Sequence, residues 1–147
     1  MSQVVSAIFW ILSILYVIFY PMLISIYVFM PLMIGIIGYI FILGLLESKN
    51  SYIIFSIIYM INLEVNLSLP LFLIIFTVLI FYILIYPTFN ILKECKVCVG
   101  LLSVIFIDLL YFIILVGYDF IFDKVSIVVD KLLFYTLIVD MLMVFLL

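Results

Sequence analysis

Long apolar runs separated by short polar breaks organise the chain. Residues Val4 to Leu46 carry no charge, and as one helix they would extend ~65 Å, about twice a bilayer core. The run must therefore turn once. Pro21 and Pro31 bracket the predicted break, because proline ends or kinks a helix at the residue before it. The pattern gives a first helix from about Val5 to Tyr20 and a second from about Phe29 to Leu46. No polar loop separates them, so a shallow or re-entrant connection is expected.

Glu47-Ser48-Lys49-Asn50-Ser51 is the first clear loop. From Tyr52 to Tyr86 the only charge is Glu64, and this run too exceeds one span. Its break is the polar cluster Asn62, Glu64, Asn66 and Ser68, followed by Pro70, which is predicted to open the fourth helix as proline often does. Either the third helix continues through the cluster or the turn lies below the membrane surface. Irregular backbone at that depth needs protein cover, so a recessed, buried turn is expected between the third and fourth helices.

Pro87 is predicted to end the fourth helix, and Lys93-Glu94-Cys95-Lys96 forms the next loop. A fifth helix from about Val99 to Tyr118 follows, then a loop holding Asp119, Asp123 and Lys124. Ser126 is a candidate N-cap for a sixth helix running from about Ile127 to the end. β-Barrel strands alternate polar and apolar residues, whereas these runs are apolar at every phase. The expected fold is all-α: a polytopic membrane bundle of about six helices, residues 1–147 forming one integral membrane domain.

Composition sharpens that reading. The chain is 73% hydrophobic and 9% charged, against about 45–50% and about 25% in soluble domains, and its mean hydropathy is +1.74. A water-facing surface cannot be built from so few charges, and six helices of about 20 residues leave no room for a soluble domain. Five Lys, eight acids, no Arg and no His exclude the basic face that nucleic-acid binding needs. They also exclude most zinc chemistry, and no cofactor motif or nucleophile–base pair is present, so an enzyme is not expected. With no basic segment or A-x-A site near Met1, no cleaved signal peptide is expected. Lys49, Lys93 and Lys96 fall on the side shared by both termini, with Lys124 and Lys131 opposite, which by the positive-inside rule puts the termini in the cytoplasm.

Asp108 lies in the middle of the fifth helix and Asp140 two-thirds along the antiparallel sixth, about 14 Å and about 11 Å deep. Burying an Asp at a helix centre costs about 2.5–3.5 kcal/mol, which the surrounding Leu, Ile, Val and Phe offset. No basic residue reaches that depth, so at least one of the two is expected to hold a proton. The pair reads either as a proton or cation site or as hydrogen-bonding glue between helices, with Thr136 on the same face of its helix. Cys95-x-x-Cys98 lacks the further ligands or the thioredoxin-like context its chemistry needs and reads as two reduced thiols. Gly35 and Gly38 permit close helix contact. Tyr82 and Tyr86, four apart near a membrane edge, fit an aromatic belt.

The order of these features resembles the bacterial rod-shape-determining MreD family, small proteins of about six spans with almost no loops. That family carries D-L-x-x-G-x-x-L-G after its third span, where this chain reads Asn62-Leu63-x-x-Asn66-x-x-Leu69-Pro70. The two Leu match, while Asn replaces the acid and Asn and Pro replace the two Gly. Phe106-Ile107-Asp108-Leu109-Leu110-Tyr111-Phe112 stands where the family has an Asp in an apolar fifth span. The resemblance covers Leu32 to Phe120. It implies a non-catalytic adaptor in the bacterial inner membrane, partnered by an MreC-like protein, an actin-like MreB and peptidoglycan synthases. The candidate polar contacts, to a partner or within the bundle, are Asn62, Glu64, Asn66, Pro70, Asp108 and Asp140; the resemblance touches Asn62, Asn66, Pro70 and Asp108, the other two come from the polar pattern alone, and no cofactor or metal is expected. The rival expectation, from the carboxyls themselves, is a small proton- or cation-coupled transporter or a subunit of one.

Overall fold

The computed structural model describes residues 2–27, 29–92, 95–123 and 131–145. They form six helices and, among the described residues, no strand. These are α1 (Ser2–Ile26), α2 (Ile34–Leu46), α3 (Asn50–Asn66), α4 (Leu73–Ile80), α5 (Lys96–Phe122) and α6 (Lys131–Val144). α4 continues through a π-helical turn, Phe81–Ile85, into a 3-10 helix, Tyr86–Leu92. The widened turn precedes Pro87, which has no N–H to continue the α-helical ladder. Pro87 therefore loosens this helix without ending it.

α2 is the centre of the bundle. It packs against α3, α4, α5 and α6, while α1 packs on α3 and adds Val17 and Ile24 to the core. Ile34, Ile36, Ile37, Phe41 and Ile42 of α2 meet Ile107, Tyr111 and Leu115 of α5 and Tyr59, Met60 and Leu63 of α3 in one core. On α5 the buried positions Gly100, Ser103, Val104, Ile107, Asp108, Tyr111 and Leu115 recur at helical spacing. On α6, Thr136, Asp140 and Val144 form the corresponding stripe at four-residue intervals. Outside the core the surface is itself apolar: Phe29, Phe120 and Phe134 are 89%, 86% and 72% exposed. Among the described residues α5 alone is both long and apolar enough to cross a membrane, with 27 residues and a hydropathy of 2.7. Trp10–Ile26, Ile34–Leu46, Leu73–Phe89 and Phe134–Val144 are apolar but shorter.

Several boundaries differ from the sequence expectation. α1 does not break at Pro21 but runs on to Ile26. α3 continues through the polar cluster to Asn66. It ends in a Schellman motif with Ser68 in the left-handed region (φ 53). There the Leu69 N–H bonds the Glu64 carbonyl at 2.9 Å and the Ser68 N–H the Val65 carbonyl at 3.4 Å, as that motif requires. Pro70 does not open α4, which starts three residues later after a left-handed Phe72 (φ 67). α5 overruns Tyr118, so Asp119 is helical and Asp123 caps the end. Ser126, Lys124 and the predicted start of α6 at Ile127 lie outside the described residues.

Cys95 and Cys98 are joined by a disulfide rather than reduced. The first turn of α5 brings their Cα atoms to 5.3 Å, inside the span a disulfide bridges.

Candidate functional site

The buried polar residues gather around two helix starts. An α-helix begins with N–H groups that have no partner within the helix, and burying them is costly unless something accepts. α2 starts inside the bundle and α4 at a part-buried turn whose Leu71 and Phe72 are exposed, and both start after a similar short sequence. Pro31-Leu32-Met33 leads into α2 and Pro70-Leu71-Phe72 into α4. In each, the third residue takes left-handed backbone, φ 54 at Met33 and φ 67 at Phe72, a conformation costing non-glycine residues of order 1–3 kcal/mol. Each start is then met by a carboxyl group from another helix. This repeated Pro-Leu-apolar triplet was readable along the chain; which acid serves which triplet was not.

At α4 the acid is Glu64, fully buried. Its Oε2 accepts from the Phe72 N–H and its Oε1 from the Ile74 N–H, both at 2.7 Å. Both oxygens therefore act as acceptors, as an ionised carboxylate's do. At α2 the acid is Asp140, also fully buried, reaching across from α6. Its Oδ2 accepts from the Gly35 N–H at 2.9 Å and, less closely, from the Ile36 N–H at 3.4 Å. Asp108 packs on the same residue from α5: a Cβ on Gly35 would lie 2.8 Å from both Asp108 carboxyl oxygens and 2.7 Å from Val104 Cγ1. Gly35 is thus where α2, α5 and α6 approach closely enough for both carboxyls to converge. Gly38, one turn on, is packed a little less tightly, a Cβ there lying 3.0 Å from Val78 and 3.2 Å from Ile107. Asp108 Oδ2 and Asp140 Oδ1 have no hydrogen-bond partner among the described residues.

The non-helical approach to α2 is held by three tyrosines. Tyr20 Oη donates to the Pro31 carbonyl and Tyr59 Oη to the Leu32 carbonyl, each at 2.9 Å, while Tyr16 Oη meets Met33 Sδ at 2.6 Å. Their rings stack, Tyr16 on Tyr20 at 4.7 Å and on Tyr59 at 6.3 Å. Sequence reading missed these residues, because a tyrosine in an apolar helix gives no sign of which distant carbonyl it will meet. Tyr82 and Tyr86 pack on each other at 5.8 Å.

Asn62 explains why α1 passes Pro21. Proline has no N–H, so the Val17 carbonyl four residues earlier loses its helical donor. Val17 is 3% exposed, and water does not replace it. Asn62 Nδ2 donates to Val17 O at 2.9 Å and to Ile18 O at 3.1 Å. Asn66 Nδ2 in turn donates to Asn62 O and Oδ1 at 2.7 and 2.8 Å, fixing the amide's orientation. Leu63 and Leu69 are buried beside them, and Pro70 is half-buried on the turn. Asn62→Leu is expected to lower stability by about 1–3 kcal/mol, the cost of a buried polar group left unpaired. Adding Pro21→Ala restores the missing N–H and should recover most of the loss. A thermal melt followed by circular dichroism in detergent checks this; a double variant no more stable than Asn62→Leu would contradict it.

No family model matches the chain, and neither a curated protein nor a solved structure matches it. Among the described residues no group of three or more potential metal ligands exists.

Proposed function

We propose that this chain is a polytopic membrane adaptor of the MreD kind, lying in a bacterial inner membrane. It would act without catalysis, supporting cell-shape and peptidoglycan-elongation machinery through intramembrane helix contacts with an MreC-like partner. One observation carries this reading: Glu64 and Asp140, the two fully buried acids, accept from backbone N–H groups of this same chain. Groups held in that way maintain a shape. The apolar outer faces of the helices support membrane embedding, since a contiguous apolar exterior of this extent marks a surface that contacts lipid or protein. The frame Asn62-Leu63-x-x-Asn66-x-x-Leu69, on which the resemblance rests, also supports it: these residues build the corner joining α1, α3 and α4.

The rival, a proton-coupled transporter, draws on Asp108 Oδ2 and Asp140 Oδ1, the two carboxyl oxygens among the five buried side-chain oxygens that lack a hydrogen-bond partner among the described residues. Asp108→Asn separates the two readings, because the amide keeps a donor and an acceptor but no titrating charge. Purified protein in liposomes loaded with a pH-sensitive dye is expected to move protons at the background rate. Asp108→Asn is expected to co-purify with the same membrane partners as the parent. Proton flux above background that stops in Asp108→Asn would favour the transporter.

A further inference from the structure

α1 packs mainly on α3, and between its first half, the C-terminal half of α2 and the start of α3 lies a cavity of about 420 Å³. That is within the range of small-molecule sites, about 300–1,000 Å³. Its wall is mainly apolar, with Trp10, Ile40, Leu43 and Phe55 beside Ser13 and Ser51, and its rim carries Glu47 and Lys49 from the α2–α3 loop. From Ile40 to Glu47 the wall rises about 10 Å along α2, so the charges sit at one end of an apolar slot. Lys49 Nζ lies 2.6 Å from Glu47 Oε2 and 5.1 Å from the centre of the Tyr52 ring. The hydrogen bond to Glu47 raises the Lys49 pKa, so the ammonium stays charged throughout the neutral range.

We propose that this slot binds one zwitterionic phospholipid, the phosphate on Lys49, the primary ammonium on Glu47, and an acyl chain along Trp10, Leu43 and Phe55. The inference rests on the membrane reading above. Charge complementarity selects the occupant. The rim carries one cation and one anion side by side, and an ethanolamine headgroup presents the matching pair, so each rim charge exchanges one partner for another. An anionic headgroup finds one cation and is repelled by the adjacent carboxylate. A neutral hydrocarbon leaves the rim unused.

Trp10 is the chain's single tryptophan and stands in the wall, which supplies the test. Protein in detergent micelles is titrated with phosphatidylethanolamine bearing brominated acyl chains, and separately with brominated phosphatidylglycerol, following Trp10 fluorescence. Phosphatidylethanolamine is expected to quench saturably, at about tenfold lower lipid than phosphatidylglycerol. Lys49→Gln and Glu47→Gln should each raise the half-saturating lipid by about tenfold, the usual weight of a hydrogen bond to a charged group. Both side chains are about half exposed, so the helix content should stay at the parent value. Equal quenching by the two lipids, or titrations unchanged in both variants, would overturn the proposal. Carbonate extraction of cell membranes tests the membrane reading separately: a chain that resists extraction yet fails the lipid titration loses the site and keeps the location.

Discussion

Glu64→Leu is expected to be the most damaging single substitution in the chain, lowering stability by about 3–5 kcal/mol. Two N–H groups at the start of α4, that of Phe72 part-buried and that of Ile74 buried, donate to Glu64 at 2.7 Å. Hydrogen bonds to a charged partner contribute about 1.5–3 kcal/mol each, and a leucine accepts neither. Glu64→Gln keeps one acceptor oxygen and turns an NH2 toward the other N–H, so about half the loss should remain, ~1.5–3 kcal/mol. Left-handed Phe72 stays in place only while its N–H is held, so the turn at residues 67–72 should open first. Hydrogen exchange at Phe72 and Ile74, read with a denaturation curve in detergent, checks both claims. A glutamine variant as stable as the parent would show that the carboxylate does not hold α4.

Asp140 should respond differently to the same isosteric change, and the contrast is informative. Asp140→Leu removes the acceptor for Gly35 and Ile36 at the start of α2 and leaves Asp108 alone in the core. An expected loss of about 2–4 kcal/mol follows, from one well-made bond, one long one and an uncompensated carboxyl. Asp140→Asn has somewhere to put both amide atoms: its oxygen accepts from Gly35 while its NH2 faces Asp108, also packed on Gly35. The loss should then stay under about 1 kcal/mol, in line with the ~0.6 kcal/mol average for interhelical hydrogen bonds in membranes. Chemical denaturation of the two variants beside the parent decides it. Equal losses for Asn and Leu would mean that the charge, and not the hydrogen-bonding pattern, holds the centre of the bundle.

The two carboxyl groups thus share a task under different constraints. Glu64 bridges eight to ten residues along the chain, so the α3–α4 corner can close as a local unit. Asp140 bridges 105 residues to Gly35, so α2 cannot be capped until α6 has docked. The stacked tyrosines, 11 to 27 residues from their acceptors or partners on the α2 approach, connect the two by holding the strained segment Pro31–Met33 between α1 and α3.

The apolar runs and their breaks determined the helical class, the number of helices and the approximate place of most of them. An uninterrupted apolar segment has few ways other than a helix to satisfy its own backbone, whatever surrounds it. The polar cluster around Asn62 and the two Asp within apolar runs also stood out along the chain, because polar groups in such runs need partners. What those partners were, only the tertiary structure decided. Pro21 signals a break by every local rule, yet α1 continues because Asn62, on another helix, supplies the donor that proline lacks. Pro70 signals a helix start, yet α4 waits three residues because Glu64 accepts from the backbone farther on. Cys95 and Cys98 pair because the first turn of α5 sets their separation. The cysteine pair is local, set by one helical turn, but for both prolines a local preference of a few kcal/mol is offset by a hydrogen bond whose other half lies on another helix, and no local pattern encodes that partner.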